Sequence, residues 1–204
     1  MSPRASLLRR GWWLEVATVL WNLGEGVVAV AAGTISGSVA LIGFGIDSFV
    51  ETASAVVVGW RLGVELRGRS EETAERIERI AARIAGALLL ALALYILVDA
   101  GRRLLGYGAE ARPSRVGLVL TAVSLIVMPV LGWAKLRVAA ALGSRALRAD
   151  AYETIACAWL SLTTLAGLAA NAAFGFWWAD PLAALGLLPL IVREGLEGVI
   201  PERS

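Results

Sequence analysis

The chain has 204 residues, 58% of them hydrophobic and only 18% charged, with a net charge of +2. A soluble domain of this length needs more polar surface than that to cover its core. A bilayer span takes about 20 apolar residues, so about six spans account for the apolar fraction and leave only short loops. There is no histidine, which excludes Ser-His-Asp hydrolases and histidine-ligated zinc enzymes. The single cysteine, Cys157, excludes an internal disulfide. The small net charge gives no reason to expect nucleic acid. The reading is an all-α polytopic membrane protein in contact with the lipid bilayer.

In chain order, the uncharged stretches predict spans at about 12–32, 40–61, 77–104, 115–134, 148–173 and 180–199. These six form a single transmembrane domain over 1–204, with no soluble carboxy-terminal domain expected. Glu15, Asn22 and Glu25 interrupt the first apolar run, and no small-residue cleavage site follows it, so it reads as a span and not as a signal peptide. The turn-rich Gly33–Ser38 cluster predicts a loop between spans one and two. Ser70–Arg79 reads as a solvated extension of span three, with Glu72–Arg76 and Glu75–Arg79 at i,i+4 spacing. Asp180-Pro181 reads as an N-cap followed by proline at the first helical position of span six.

Counting basic residues places 15 on the side that holds the amino terminus and the 2–3 and 4–5 loops, and four on the other. Both termini are therefore expected in the cytoplasm and the protein in the cell membrane. Lys135 is counted in the 4–5 loop by this reading. Trp12, Trp13, Trp60, Trp133, Trp177 and Trp178 fall at span ends, whereas Trp21 and Trp159 are expected to pack between helices. Gly59 and Gly63 form a GxxxG spacing that a homodimer of membrane helices could use.

Carboxylates inside a bilayer are costly and mark function by default. Asp47 and Glu51 lie i,i+4 on span two, and Glu153 and Cys157 lie i,i+4 on span five, so each pair shares a helix face. Two helices that each offer two ligands one turn apart can close a four-coordinate site around a divalent ion. The reading expects no basic residue at comparable depth to pair with these groups. Glu15, Thr18, Asn22 and Glu25 form a polar stripe on span one. Asn22 and Glu25, with Asp150, are expected as a surrounding shell or a proton path. Ser38-Val39-Ala40-Leu41 and Ser144-Arg145-Ala146-Leu147 lead into the two ligand pairs at a constant offset of 106, which hints at an inverted 3+3 repeat.

Three stretches carry a family resemblance: Ser36–Leu41 through Asp47–Glu51, Ala149–Ala151 through Cys157, and Ala179–Ala184. They resemble the transmembrane domain of the cation diffusion facilitator family. That resemblance implies a divalent-cation/proton antiporter exporting metal from the cytoplasm, with a tetrahedral site at Asp47, Glu51, Glu153 and Cys157. Zinc-type members carry histidine where Glu153 stands and aspartate where Cys157 stands. A thiolate in the set favours zinc, iron(II), cobalt or cadmium, whereas carboxylates alone suit manganese better. Zinc is the first expectation. Four anionic donors around an empty site in low dielectric cannot all stay ionised, so the empty site is expected to carry protons that metal displaces. The alternative reading is a non-transporting metal-binding or accessory protein of the same fold. An intramembrane protease built on Gly43–Asp47 and Asp99 is disfavoured by its spacing.

Overall fold

The computed structural model describes residues 3–67, 72–107 and 112–200. Six helices account for nearly all of them: α1 (Pro3–Ser36), α2 (Val39–Leu66), α3 (Glu72–Leu104), α4 (Arg115–Leu142), α5 (Arg145–Phe174) and α6 (Ala179–Val199). Stretches in α1, α2, α4 and α5 are long and apolar enough to cross a membrane. These four pack as a bundle, and α3 and α6 pair with each other beside it against α2 and α5. The protein is a polytopic all-α membrane protein.

The turn between α1 and α2 is shorter than expected. Thr34–Ser36 continue the helix and only Gly37 and Ser38 turn the chain. Gly37 takes a left-handed φ of 71°, which ends α1 without a Cβ penalty. The Ser38 hydroxyl then accepts the Leu41 N–H at 3.1 Å and caps α2. The α4–α5 turn repeats this device. Gly143 has φ 68° and Ser144 caps α5 by accepting the Leu147 N–H at 3.3 Å.

This likeness extends into the bundle at the same offset of 106. A Cβ on Gly26 would meet the Gly45 carbonyl and the Phe49 ring; one on Gly132 would meet the Ala151 carbonyl and Ile155. A Cβ on Gly11 would meet Leu62 and Leu147; one on Gly117 would meet Leu168 and Leu41. Gly11 lies near the Gly143–Ser144 turn and Gly117 near the Gly37–Ser38 turn, so the two hairpins sit at opposite ends of the bundle. The α1–α2 and α4–α5 hairpins therefore share one packing pattern in inverted orientation, in keeping with the hint from the Ser38 and Ser144 segments.

Three expectations are corrected here. Gly59 and Gly63 are turned inward against α1, toward the Glu15 Cβ and Trp12, so this spacing packs the chain on itself and is not a free dimer face. Trp159 is 59% exposed and does not pack between helices. Asp180 does not cap its own helix, which starts one residue earlier with Trp178 in the cap position. Its carboxylate instead accepts from the Ser38 hydroxyl and, at 2.9 Å, from the Val39 N–H, so α6 anchors the start of α2. The backbone of α3 begins at Glu72; residues 68–71 and the side chains of the Glu72–Arg76 and Glu75–Arg79 pairs lie outside the described residues.

The glycine packing gives a direct test. A Cβ on Gly45 would lie 2.8 Å from the Ala29 Cβ and 2.9 Å from the Val30 backbone nitrogen, whereas Gly186 on α6 has nothing within 4 Å. Gly45→Ala is expected to destabilise by about 1–3 kcal/mol. Gly186→Ala is expected to be neutral or stabilising by up to about 1 kcal/mol. Thermal unfolding of the purified protein in detergent, followed by circular dichroism, separates the two.

Candidate functional site

The polar stripe of α1 faces the bundle interior, with Glu15, Thr18, Asn22 and Glu25 all buried. Antiparallel packing sets the register across from it. Gly59 of α2 lies against Glu15, and Ser48 donates to Glu25 at 3.0 Å. The same antiparallel logic places α2 against α5. Ser54 donates to Asp150 at 3.0 Å, Glu51 faces Thr154 and Cys157, and Asp47 lies beside Cys157.

Of the expected ligands, Asp47, Glu51 and Cys157 are buried and near one another. Neither oxygen of Glu51 has a hydrogen bond of standard geometry, which is costly for a buried carboxylate. Glu153 is on the same side of α5 as Ser54 of α2, but helices do not cover it. Among the described residues no three His, Cys, Asp or Glu side chains converge closely enough to hold a metal ion. The backbone register thus brings the two pairs level, and the side chains are not gathered around a common centre.

The surrounding shell is more fully built. Glu25 accepts from Ser48 with one oxygen and leaves the other buried without a partner. Asn22 is fully buried, and both its amide oxygen and its amide nitrogen lack hydrogen bonds. Unpaired buried polar atoms of this kind need an ion, a water or a moving partner to offset their desolvation.

Asp150 belongs to a cluster that sequence reasoning missed. Lys135 is not in a loop. It lies inside α4, fully buried, with its ammonium 3.0 Å from Glu15 Oε2 and 2.5 Å from Asp150 Oδ2. It also donates to Thr154 Oγ1 at 3.2 Å. The ammonium thus hydrogen-bonds Asp150 and Thr154 and pairs electrostatically with Glu15, whose oxygens have no hydrogen bond of standard geometry. The expectation that no cation lies deep enough to pair with the carboxylates is overturned, because Lys135 also sits in the field of Glu51 and Glu153. The cluster ties α1, α4 and α5 directly, and α2 through the Ser54–Asp150 bond.

Residues 16–201 match the cation efflux transmembrane domain. The chain belongs to that family. It is 29% identical over 180 residues to an uncharacterized transporter of Synechocystis sp., an alignment covering 85% of this chain and 56% of that protein. It is 29% identical over 189 residues to the magnetosome protein MamB of Paramagnetospirillum magneticum, covering 91% of this chain and 62% of that protein. The MamB of Magnetospira sp. is 26% identical over the same length. The chain therefore spans less than two thirds of the length of these relatives.

The buried cluster has a measurable cost of disruption. Asp150→Ala leaves the Lys135 ammonium short of one acid partner in a water-excluded site and is expected to destabilise by about 3–5 kcal/mol. Arg4→Ala removes the exposed Arg4–Glu65 pair, 2.5 Å apart, and is expected to cost about 0–1 kcal/mol. Thermal melting of both variants beside the native protein gives the contrast.

Proposed function

We propose that this chain is a divalent metal cation transporter that exports its ion from the cytoplasm in exchange for protons. The ion is bound between α2 and α5 by Asp47, Glu51, Glu153 and Cys157. Membership of the cation efflux family carries the reading. Three features of the chain support it: the level placement of the two ligand pairs, the unpartnered oxygens of buried Glu51, and the unpartnered Asn22 and Glu25 atoms beside them. Gathering Glu153 toward Glu51 would complete a four-donor set, a local change of the kind that alternating access requires. The thiol makes zinc the first choice of substrate, with iron(II), cobalt and cadmium behind it and manganese favoured if Cys157 stands aside.

One observation favours a second reading. Because the donors are not gathered among the described residues, a chain that binds metal without moving it is the alternative.

The deciding experiment is metal uptake with internal pH recording in proteoliposomes, across zinc, manganese, iron(II), cobalt and cadmium. Metal entry with counter-moving protons, lost in both Asp47→Ala and Glu153→Ala, is the expected result. Cys157→Ser is expected to shift preference from zinc and cadmium toward manganese. Binding without flux would replace transport by the second reading, and no binding of any of the five would overturn the four-donor site.

A further inference from the structure

The inverted repeat allows the two ends of the bundle to be compared position by position. At the offset of 106, Lys135 corresponds to Ala29, Asp150 to Phe44, Glu15 to Thr121 and Ser54 to Leu160. Ala29, Phe44, Thr121 and Leu160 are all fully or almost fully buried, and Ala29, Phe44 and Leu160 belong to one apolar cluster. The packing is the same at both ends and the chemistry is not. At these four positions one end holds mostly apolar contacts and the end near the Gly143–Ser144 turn holds an ammonium between carboxylates; the buried charge of the first end lies elsewhere, at Asp180.

That ammonium lies beside the proposed ion site. Asp150 and Thr154, both bonded to Lys135, lie on α5 within one turn of Glu153 and Cys157 respectively. The charged groups that face Lys135 are Glu15 from α1, Glu51 from α2, and Asp150 and Glu153 from α5. These carboxylates form an anionic environment that holds more acceptors than one ammonium fills. A divalent cation entering from this end meets acceptors already occupied by a tethered cation.

Resting on the transport reading above, we propose that Lys135 is a gating residue, a built-in cation that holds this end of the bundle shut. An incoming divalent ion must displace it from Asp150 to reach Glu51. Displacement would release the four helices from their common bond at the moment the ion arrives. No covalent step is involved.

The test uses a paired exchange, Lys135→Met with Glu15→Gln, which removes one charge of each sign and leaves Asp150 with its hydrogen bond from Ser54. Replacing a buried ion pair by neutral groups is often tolerated. Circular dichroism and size-exclusion chromatography first establish folding. The native chain carries its own reporter, since Cys157 is its single cysteine and only 2% exposed. The rate of Cys157 alkylation by a hydrophilic maleimide is expected to rise at least about tenfold in the folded double variant. Zinc affinity, titrated in the same detergent, is expected to tighten by about tenfold, because the competing cation is gone while net charge is unchanged. A merely structural lysine would give weaker or unaltered binding.

Labelling within twofold of native, or zinc affinity no tighter than native, would overturn the gate. If the native chain binds neither zinc, manganese nor iron(II), the transport reading falls and the labelling rate alone decides the gate. Should the double variant not fold, Ser54→Ala, which unties α2 from Asp150 and keeps every charge, takes its place with the same labelling criterion.

Discussion

Burying charge where there is no water is the constraint on which this structure depends. An isolated ionised group in a medium of low dielectric costs several kcal/mol, so each buried carboxylate must be bonded, neutralised or paired. Here one ammonium meets the need for Glu15 and Asp150 together, and hydroxyls from Ser54 and Thr154 complete the set. The arrangement fixes the mutual position of α1, α2, α4 and α5 at one level. Glu25 and Glu51, beyond its direct reach, are left with unpartnered oxygens. Both oxygens of Glu15 likewise lack a hydrogen bond of standard geometry, so unpartnered carboxylate oxygens extend from the Lys135 level to Glu51 and Glu25.

The inverted repeat supplies the scaffold for that contrast. Matching glycines let the paired helices approach to backbone contact, and matching Gly-Ser turns cap the second helix of each hairpin. Ion transport by alternating access needs two similar halves that can exchange roles. It also needs the two entrances to respond to different signals. In the proposed transport cycle, matching packing lets the helices rock about a common geometry, with Lys135 at one of the two entrances.

Much of this was legible in the sequence, for physical reasons. Lipid imposes long apolar stretches, so helix number and order follow from hydropathy, and Asp47, Glu51 and Cys157 stand out because charge and thiol are rare in such stretches. The repeat was visible in two short segments because the N-cap serine and the following core leucine are each dictated locally. Lys135 was misplaced because it lies near a span boundary, where a basic residue ordinarily snorkels to the surface and counts toward orientation. Burial there depends on Glu15 and Asp150, which come from two other helices and are invisible to a one-dimensional reading. The inward turn of Gly59 and the handing of Asp180 from α6 to α2 were hidden for the same reason, since both are settled by a partner helix.

One compositional fact does point to Lys135. The chain carries 18 arginines and a single lysine, and the lysine is the residue at the centre of the Glu15–Asp150–Thr154 cluster. An arginine presents a planar, bulky fork that suits surfaces and bidentate carboxylates, whereas an ammonium is a compact point charge with three donors on a flexible stem. Only the latter matches three acceptors from two helices in a fully enclosed space. An ammonium on a flexible stem can also leave its partners without dragging the backbone along. In the proposed gate, this one lysine among arginines stands where a cation must fit inside and still be able to move.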